Sequence, residues 1–211
     1  SWRGRARRWA PRLLSTALGA LALVAATLGW RASLPEVPRL DIKRFSAEQL
    51  ERGRQLAALG NCAGCHTAEQ GVRNAGGRPI VTPFGTVYTS NLTPDPETGL
   101  GRWSYQAFAR AMREGVSRDG HHLYPAFPYT SFAGMSDSDL LDLYAHLMSQ
   151  DPVRLVTPAA EMRGIAAWRP LMAVWNGLFH VSQPYVPDPA LDETQNRGAY
   201  WVQTVGHCGA C

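Results

Sequence analysis

The spacing of apolar and polar residues changes several times along this chain, and each change marks an element. From Leu13 to Trp30 the run is apolar, broken only by small residues and by Ser15 and Thr16. Its 18 residues sit at the lower bound for crossing a bilayer, where about 20 are typical. From Ser46 the period becomes helical. Ser46 and Gln49 form an S-x-x-Q capping box, and Leu50, Gly53, Leu56 and Leu59 carry the pattern to Gly60. A second helix is expected from Ser104 to about Glu114, burying Phe108 and Met112. The third is the clearest: Ser136 caps it, Asp137 and Asp139 suit its positive end, and Leu140, Leu143, Tyr144 and Leu147 form its stripe. Residues 67–103, rich in Gly, Pro, Thr and Asn, read as loop.

This pattern predicts a small helical domain over residues 41–150 in which the first and last helices cross. Gly53 is expected to leave room for Tyr144 at that crossing. Residues 151–191 hold Pro152, Pro158, Pro170, Pro184, Pro187 and Pro189 and read as a linker. A short helix from Pro170 to Phe179 interrupts it, with Leu171, Val174, Trp175 and Leu178 as the face expected to pack on the helical domain. A repeat then begins. Arg52-Gly53, followed by Leu59-Gly60-Asn61-Cys62-x-x-Cys65, returns as Arg197-Gly198, followed by Val205-Gly206-His207-Cys208-x-x-Cys211. The cysteines recur 146 residues apart, with one residue expected as an insertion in the second helix. A second domain is therefore expected from residue 192, with 192–211 as its first part. Ser1 and Cys211 read as the ends of a fragment.

Charge divides the chain in two. Residues 1–31 hold six arginines and no acid, whereas the remaining 180 carry 15 basic and 17 acidic residues. The net charge of +4 therefore belongs to one end and gives no support to nucleic-acid binding. Arg3, Arg5, Arg7, Arg8 and Arg12 precede the apolar run, and Trp9 and Trp30 flank it. The positive-inside rule then predicts an N-terminal membrane anchor over residues 1–31 that sends the rest across the membrane. A cleaved signal segment ending near Val24-Ala25-Ala26 is the competing expectation.

All four cysteines lie in two C-x-x-C pairs. Such pairs serve zinc, dithiol redox chemistry or haem. Zinc ribbons place their pairs roughly 15–20 residues apart, and here 142 residues intervene. A redox dithiol wants a preceding strand, but Ser46–Gly60 reads as helix. His66 directly after Cys65 favours a covalently attached haem: Cys62 and Cys65 as thioether positions, His66 as the proximal iron ligand. Cys208 and Cys211 would begin a second site. Methionine ligation raises a haem's potential relative to paired histidines. Met135, in the loop before the last helix, is the expected sixth ligand and His122 the alternative. Met112 and Met148 read as core, His121 as a loop residue, His146 as exposed, and His207 as outside ligand position. Arg73 and Arg78 are candidates for the haem propionates, and Pro125 and Tyr129 for shaping the distal loop. Asp95, Glu97 and Asp119 read as solvated or capping groups, and Gly76-Gly77 as a turn. No catalytic motif competes.

Several stretches together resemble one family. They include Thr82-Pro83-Phe84-Gly85-Thr86-Val87-Tyr88, Asn91-Leu92-Thr93-Pro94-Asp95, Glu97-Thr98-Gly99-Leu100-Gly101-x-Trp103-Ser104 and Leu123-Tyr124-Pro125-Ala126-Phe127-Pro128-Tyr129. Ser136-Asp137-x-Asp139, Trp175-Asn176-x-Leu178-Phe179 and the Cys208 motif extend the likeness over residues 45–211. The chain resembles the multihaem cytochrome c subunits of bacterial membrane-bound dehydrogenases of the alcohol, gluconate and aldehyde type. The resemblance implies a mainly α fold: an N-terminal transmembrane helix, a class I-like cytochrome c domain at 41–150, and the start of a second. It implies haem c, three in such proteins at full length, and no catalysis by this subunit. It also implies electron transfer from a quinoprotein, flavoprotein or molybdopterin dehydrogenase to ubiquinone or another respiratory acceptor. The expected location is the bacterial inner membrane, with the haem domains on the periplasmic side. Many relatives carry methionine where this chain has Phe127. The alternative function is a haem enzyme, peroxidase-like or sulfur-oxidising, with an open or unusual sixth position. A haem sensor is a further rival.

Overall fold

The computed structural model describes Ser15, Thr16, Gly19, residues 31–38 and residues 40–210. Helix α1 (Ala47–Leu59) starts where its capping box places it. The Gln49 amide donates to the Ser46 hydroxyl and the Ser46 amide to the Gln49 side chain, each at 3.2 Å. The helix ends at Gly60, and one left-handed residue, Asn61, turns the chain into α2 (Cys62–His66). Helix α3 (Tyr105–Glu114) is capped by Ser104 and closes at Gly115. The short α4 (Tyr129–Phe132) leads to α5 (Asp137–Met148), where the Ser136 hydroxyl accepts from the Asp139 amide at 3.1 Å. All three long helices keep their expected bounds within a residue or two.

Helices α1 and α5 cross with almost nothing between them. A side chain at Gly53 would run into the backbone carbonyl of Asp142, with the His146 Cβ only 2.7 Å from its first carbon. The residues met at the crossing are therefore Asp142 and His146, and not Tyr144. Tyr144 lies further round α5, its ring 5.5 Å from Phe108 and its hydroxyl donating to the Trp103 carbonyl at 2.7 Å. His146 is consequently half-buried rather than exposed. Beside the contact, buried Asp142 accepts from Arg52 Nε at 2.7 Å and from Gln49 at 3.3 Å. Leu56, Phe108, Met112, Leu140, Leu143 and Leu147 complete the core around it.

Residues 67–103 are not all loop. Strand β1 (Pro79–Thr82) pairs antiparallel with β2 (Gly85–Tyr88), and β3 (Glu161–Met162) adds to the other side of β2. Two four-residue strands are too short to show a period. The third comes from the proline-rich stretch, so 151–191 is laid back along the domain. Val153 and Leu155 amides donate to Thr93 and Thr98 hydroxyls, each at 3.1 Å. Helix α6 (Leu171–Phe179) also turns a different face inward: Met172 and Ala173 are buried, while Leu178 is 70% exposed. Of the expected face, Trp175 does meet Tyr129, edge-on, while Asn176, on the Met172 side, bonds Tyr129, Glu114 and His122.

Among the described residues no helix is long and apolar enough to cross a membrane, so the expected transmembrane helix is not supported. The longest, α1, has 13 residues, and at about 1.5 Å per residue it falls well short of a hydrocarbon core of about 30 Å. Apart from Ser15, Thr16 and Gly19, the run Leu13–Trp30 lies outside the described residues.

The repeat is visible in three dimensions. Helix α7 (Glu193–Gln203) opens with a capping box from Asp192 and Gln195, which mirrors Ser46 and Gln49. The inserted residue is absorbed in the turn after this helix, and not within the helix as expected. The Gly206 amide reaches five residues back to Trp201, whereas the Gly60 amide reaches four back to Leu56. His207 is left-handed, as Asn61 is, and the Ala210 amide returns to its carbonyl as the Gly64 amide returns to that of Asn61.

Gly53→Ala is expected to destabilise the domain by about 1–3 kcal/mol through overpacking, measured as a lower denaturation midpoint. Gly198→Ala, where a Cβ meets open space, should leave the midpoint unchanged or raise it.

Candidate haem site

Helix α2 carries Cys62, Cys65 and His66 on little more than one turn. Nδ1 of His66 lies 2.7 Å from the Ser90 carbonyl. A carbonyl can only accept, so the proton sits on Nδ1 and Nε2 keeps its lone pair for a metal. Burial pushes the His66 pKa below the ordinary imidazole value, opposed in part by the Ser90 hydrogen bond. The ring is therefore neutral at neutral pH, in the tautomer that proximal ligation of iron requires.

The thiols argue against the two rival readings. Burial, with Cys65 nearby, pushes the Cys62 pKa up to about 11, whereas redox-active cysteines have lowered values. Among the described residues no group of three or more His, Cys, Asp or Glu side chains comes together to hold a metal ion. Among the described residues Cys62, Cys65 and Cys208 form no disulfide. Two free thiols beside a correctly protonated histidine fit covalent haem, which would be held by Cys62, Cys65 and His66. Cys208 follows the second left-handed turn, and Cys211 lies outside the described residues.

The carbonyl that orients His66 depends on a buried polar network that no sequence motif singles out. Asn91 donates to the Val153 carbonyl at 2.7 Å and to the Thr98 hydroxyl at 3.0 Å, and accepts from the Thr93 amide and hydroxyl. Asp95 accepts the Thr98 hydroxyl and amide, both at 2.7 Å, and the Glu97 amide. Asp95 is thus a capping group, as its loop position suggested. Gly76 matters more than a turn would: its φ is +81°, and a Cβ there would stand 2.6 Å from the Ser90 carbonyl carbon. The His66 carbonyl accepts from the Gly76 amide at 2.8 Å, so one glycine backs both partners of the histidine hydrogen bond. The signal available in the sequence was the cluster of Asn, Thr and Asp over 91–98, the residue types that build such turns.

The two sixth-ligand candidates lie in different places. Met135 is fully buried in the core cluster to whose edge Cys62 packs, and Arg113 donates to its carbonyl at 2.8 Å. Phe127 packs on that same cluster, against Phe132. His122 is buried elsewhere, beside a cavity of about 590 Å³ lined by Arg31, Glu114 and the α6 residues Ala173 and Asn176. The Asn176 amide nitrogen donates to Glu114 O and to His122 Nδ1, while its oxygen accepts from the Tyr129 hydroxyl. That pattern puts the His122 proton on Nε2, which has no hydrogen-bond partner among the described residues. His122 thus holds the opposite tautomer to His66. His121 is tied to Asp119 and Ser117, Tyr129 is fully buried against Trp175, and Pro125, Arg73 and Arg78 are exposed.

Gly76→Ala would force an L-residue into left-handed backbone, at about 1–2 kcal/mol, and press on Ser90 as well. The expected outcome is lower thermal stability and reduced haem attachment, read by in-gel haem stain against total protein. A pH test addresses the network. Hydrogen bonds from Thr98 hold the Asp95 pKa below its usual value near 3.8. The stability this adds is present above that value and is lost as pH falls below it. Asp95→Asn should therefore lower stability at neutral pH and flatten the acid limb of the stability–pH curve.

Residues 50–151 match the family described as Cytochrome c. The chain is 54% identical over 207 residues to a nicotinate dehydrogenase subunit of Pseudomonas putida, covering 98% of this chain and 17% of that protein. It is 39% identical over 193 residues to the gluconate 2-dehydrogenase cytochrome c subunit of Pantoea cypripedii, covering 90% and 42%. With the alcohol dehydrogenase (quinone) cytochrome c subunit of Gluconacetobacter polyoxogenes the identity is 40% over 164 residues, covering 77% and 35%. The chain spans less than half the length of each of these relatives. With a C-x-x-C-H turn, a correctly protonated histidine and this likeness over nearly its whole length, the chain belongs to the cytochrome c family and is similar to cytochrome c subunits of dehydrogenases.

Proposed function

We propose that this chain is an electron relay that takes electrons from a catalytic dehydrogenase subunit and passes them to a quinone such as ubiquinone or another respiratory acceptor. The observation that carries the reading is the His66–Ser90 hydrogen bond beside two free thiols, an arrangement suited to covalent haem and to little else. Haem c supplies one-electron chemistry at its iron when bound. The chain's part is to hold it: Cys62 and Cys65 as thioether anchors, His66 as proximal ligand. The Ser90 carbonyl and the Asn91–Asp95 network keep the imidazole from turning. Relatives named as cytochrome c subunits of dehydrogenases support a transfer role over the haem-enzyme alternative.

Met135 is our proposed sixth ligand, supported by the core it shares with Cys62 and by the grip of Arg113 on its loop. A second haem at Cys208 and Cys211 is supported by the repeated turn. On α7, the face carrying Gly198, Trp201 and Val202 is open, whereas Gly53 on α1 is covered by α5. The haem domains belong on the periplasmic side under this reading, since c-type haem is attached there in bacteria. The relatives are subunits of dehydrogenases, which supports a dehydrogenase partner and leaves its substrate open.

The test is spectroscopy of the haem-loaded chain. A low-spin spectrum with the far-red charge-transfer band of sulfur ligation, lost in Met135→Ala, is the expected result. Each of Cys62→Ala and Cys65→Ala should leave one vinyl group unreacted and shift the reduced pyridine haemochrome band. A high-spin ferric haem that binds cyanide without displacing a ligand would overturn the Met135 assignment and favour the haem enzyme.

A further inference from the structure

The two cysteine turns lie back to back. Around Gly60, two residues before Cys62, the Val205 carbonyl oxygen is 3.3 Å from where a side chain would begin. His207, the residue before Cys208, reaches across and donates from Nε2 to the Gly60 carbonyl at 3.2 Å. Its ring stands edge-on to Phe132, with centroids 5.4 Å apart. Val205 is 1% exposed and packs in the core of the first domain, and Thr204 fits against Gly134. The second attachment turn is thus seated on the first domain.

The repeat isolates what His207 adds. Its counterpart is Asn61, which takes the same left-handed backbone (φ 49° against 39°) and supports the same return hydrogen bond. Asparagine suits that conformation better than most residues. The turn itself therefore has no need of an imidazole. The His207 ring is occupied instead by two groups of the first domain, Gly60 and Phe132.

We propose that His207 is a positioning residue that locks the second attachment turn to the first and so sets the separation across which electrons pass between the two sites. This rests on the reading of Cys208 and Cys211 as a haem site. Its role is mechanical: it brings no ligand to iron and carries no electron. By holding Gly60 and Cys208 to one framework it keeps the two turns from drifting apart between transfer events.

The test uses the full-length, haem-loaded protein and the His207→Asn variant, which copies Asn61 and keeps the turn but is too short to reach Gly60. Two readouts apply: amide exchange across 60–65 and 204–210, and the dipolar coupling between the two ferric haem spins by electron paramagnetic resonance. In the variant, exchange should rise roughly three- to tenfold in both segments, as loss of one hydrogen bond implies. The spin coupling should weaken and broaden while haem content stays the same. His207→Gln, long enough to donate to Gly60, should restore both in part, and serves as the reference should the asparagine variant fold poorly. Wild-type exchange and coupling in His207→Asn, with both haems attached, would overturn the proposal. A pyridine haemochrome count showing no haem at the second site would instead sink the reading of Cys208, and the exchange rates would still decide whether His207 holds the turn.

Discussion

The rest of this domain depends on one backbone-to-backbone contact, the crossing of α1 and α5 at Gly53. Only a residue without a Cβ lets the Asp142 carbonyl approach so closely. The approach puts Leu56 among Leu140, Leu143 and Leu147, and it places Asp142 where Arg52 and Gln49 can reach it. Arg52 is half-exposed, so its ion pair adds modestly, about 1 kcal/mol or less. Burial of the leucines and aromatics contributes more. Since α1 runs directly into the Cys62 turn, the crossing also fixes where that turn begins.

From that anchor the site is built outward by backbone groups. The atom that orients His66 is a main-chain carbonyl, and the groups that hold it are short polar side chains closing turns on themselves. Such a network is buried and satisfied, a condition under which polar groups stiffen a fold rather than weaken it. The consequence for function is a rigid frame. A relay works best when its surroundings rearrange little between oxidised and reduced states, and the loop over 89–101 is tied down by residues that do not move independently. The proline-rich stretch contributes to this as well, since Val153 and Leu155 close the same network from outside.

The second cysteine turn belongs to the same frame. Tyr200 accepts from the Ser136 amide and donates to Asp139, and the Tyr185 amide donates to the Gly134 carbonyl. These contacts fall on the loop that also carries Met135, which Arg113 grips from its other side through the carbonyls of Ala133 and Met135. The loop before α5 is therefore clamped by both halves of the chain. The part of the sequence that resembles the opening of a second domain acts, in structural terms, as a wall of the first.

The sequence by itself determined the three helices of the first domain and their caps, the Cys62–Cys65–His66 turn and the repeat. Each of these is encoded locally: in the 3.6-residue period, in a hydroxyl or carboxylate one turn from an orphan amide, or in a fixed four-residue spacing. What lay beyond it were relationships between distant segments. The short strands carried no readable period, and α6 turned the Met172 face inward, where Asn176 bonds Tyr129, Glu114 and His122. Gly53 was legible as a crossing point, but its partner, Asp142, was decided by the rotation of α5 about its own axis. The Ser90 carbonyl could not be found from residue identity, because every residue has one and only the folded loop selects which will face His66. In the same way His207 reads as an ordinary residue before a cysteine until tertiary packing brings Gly60 to within a hydrogen bond of it. Local patterns determine elements; which backbone group meets which side chain is decided when those elements close on one another.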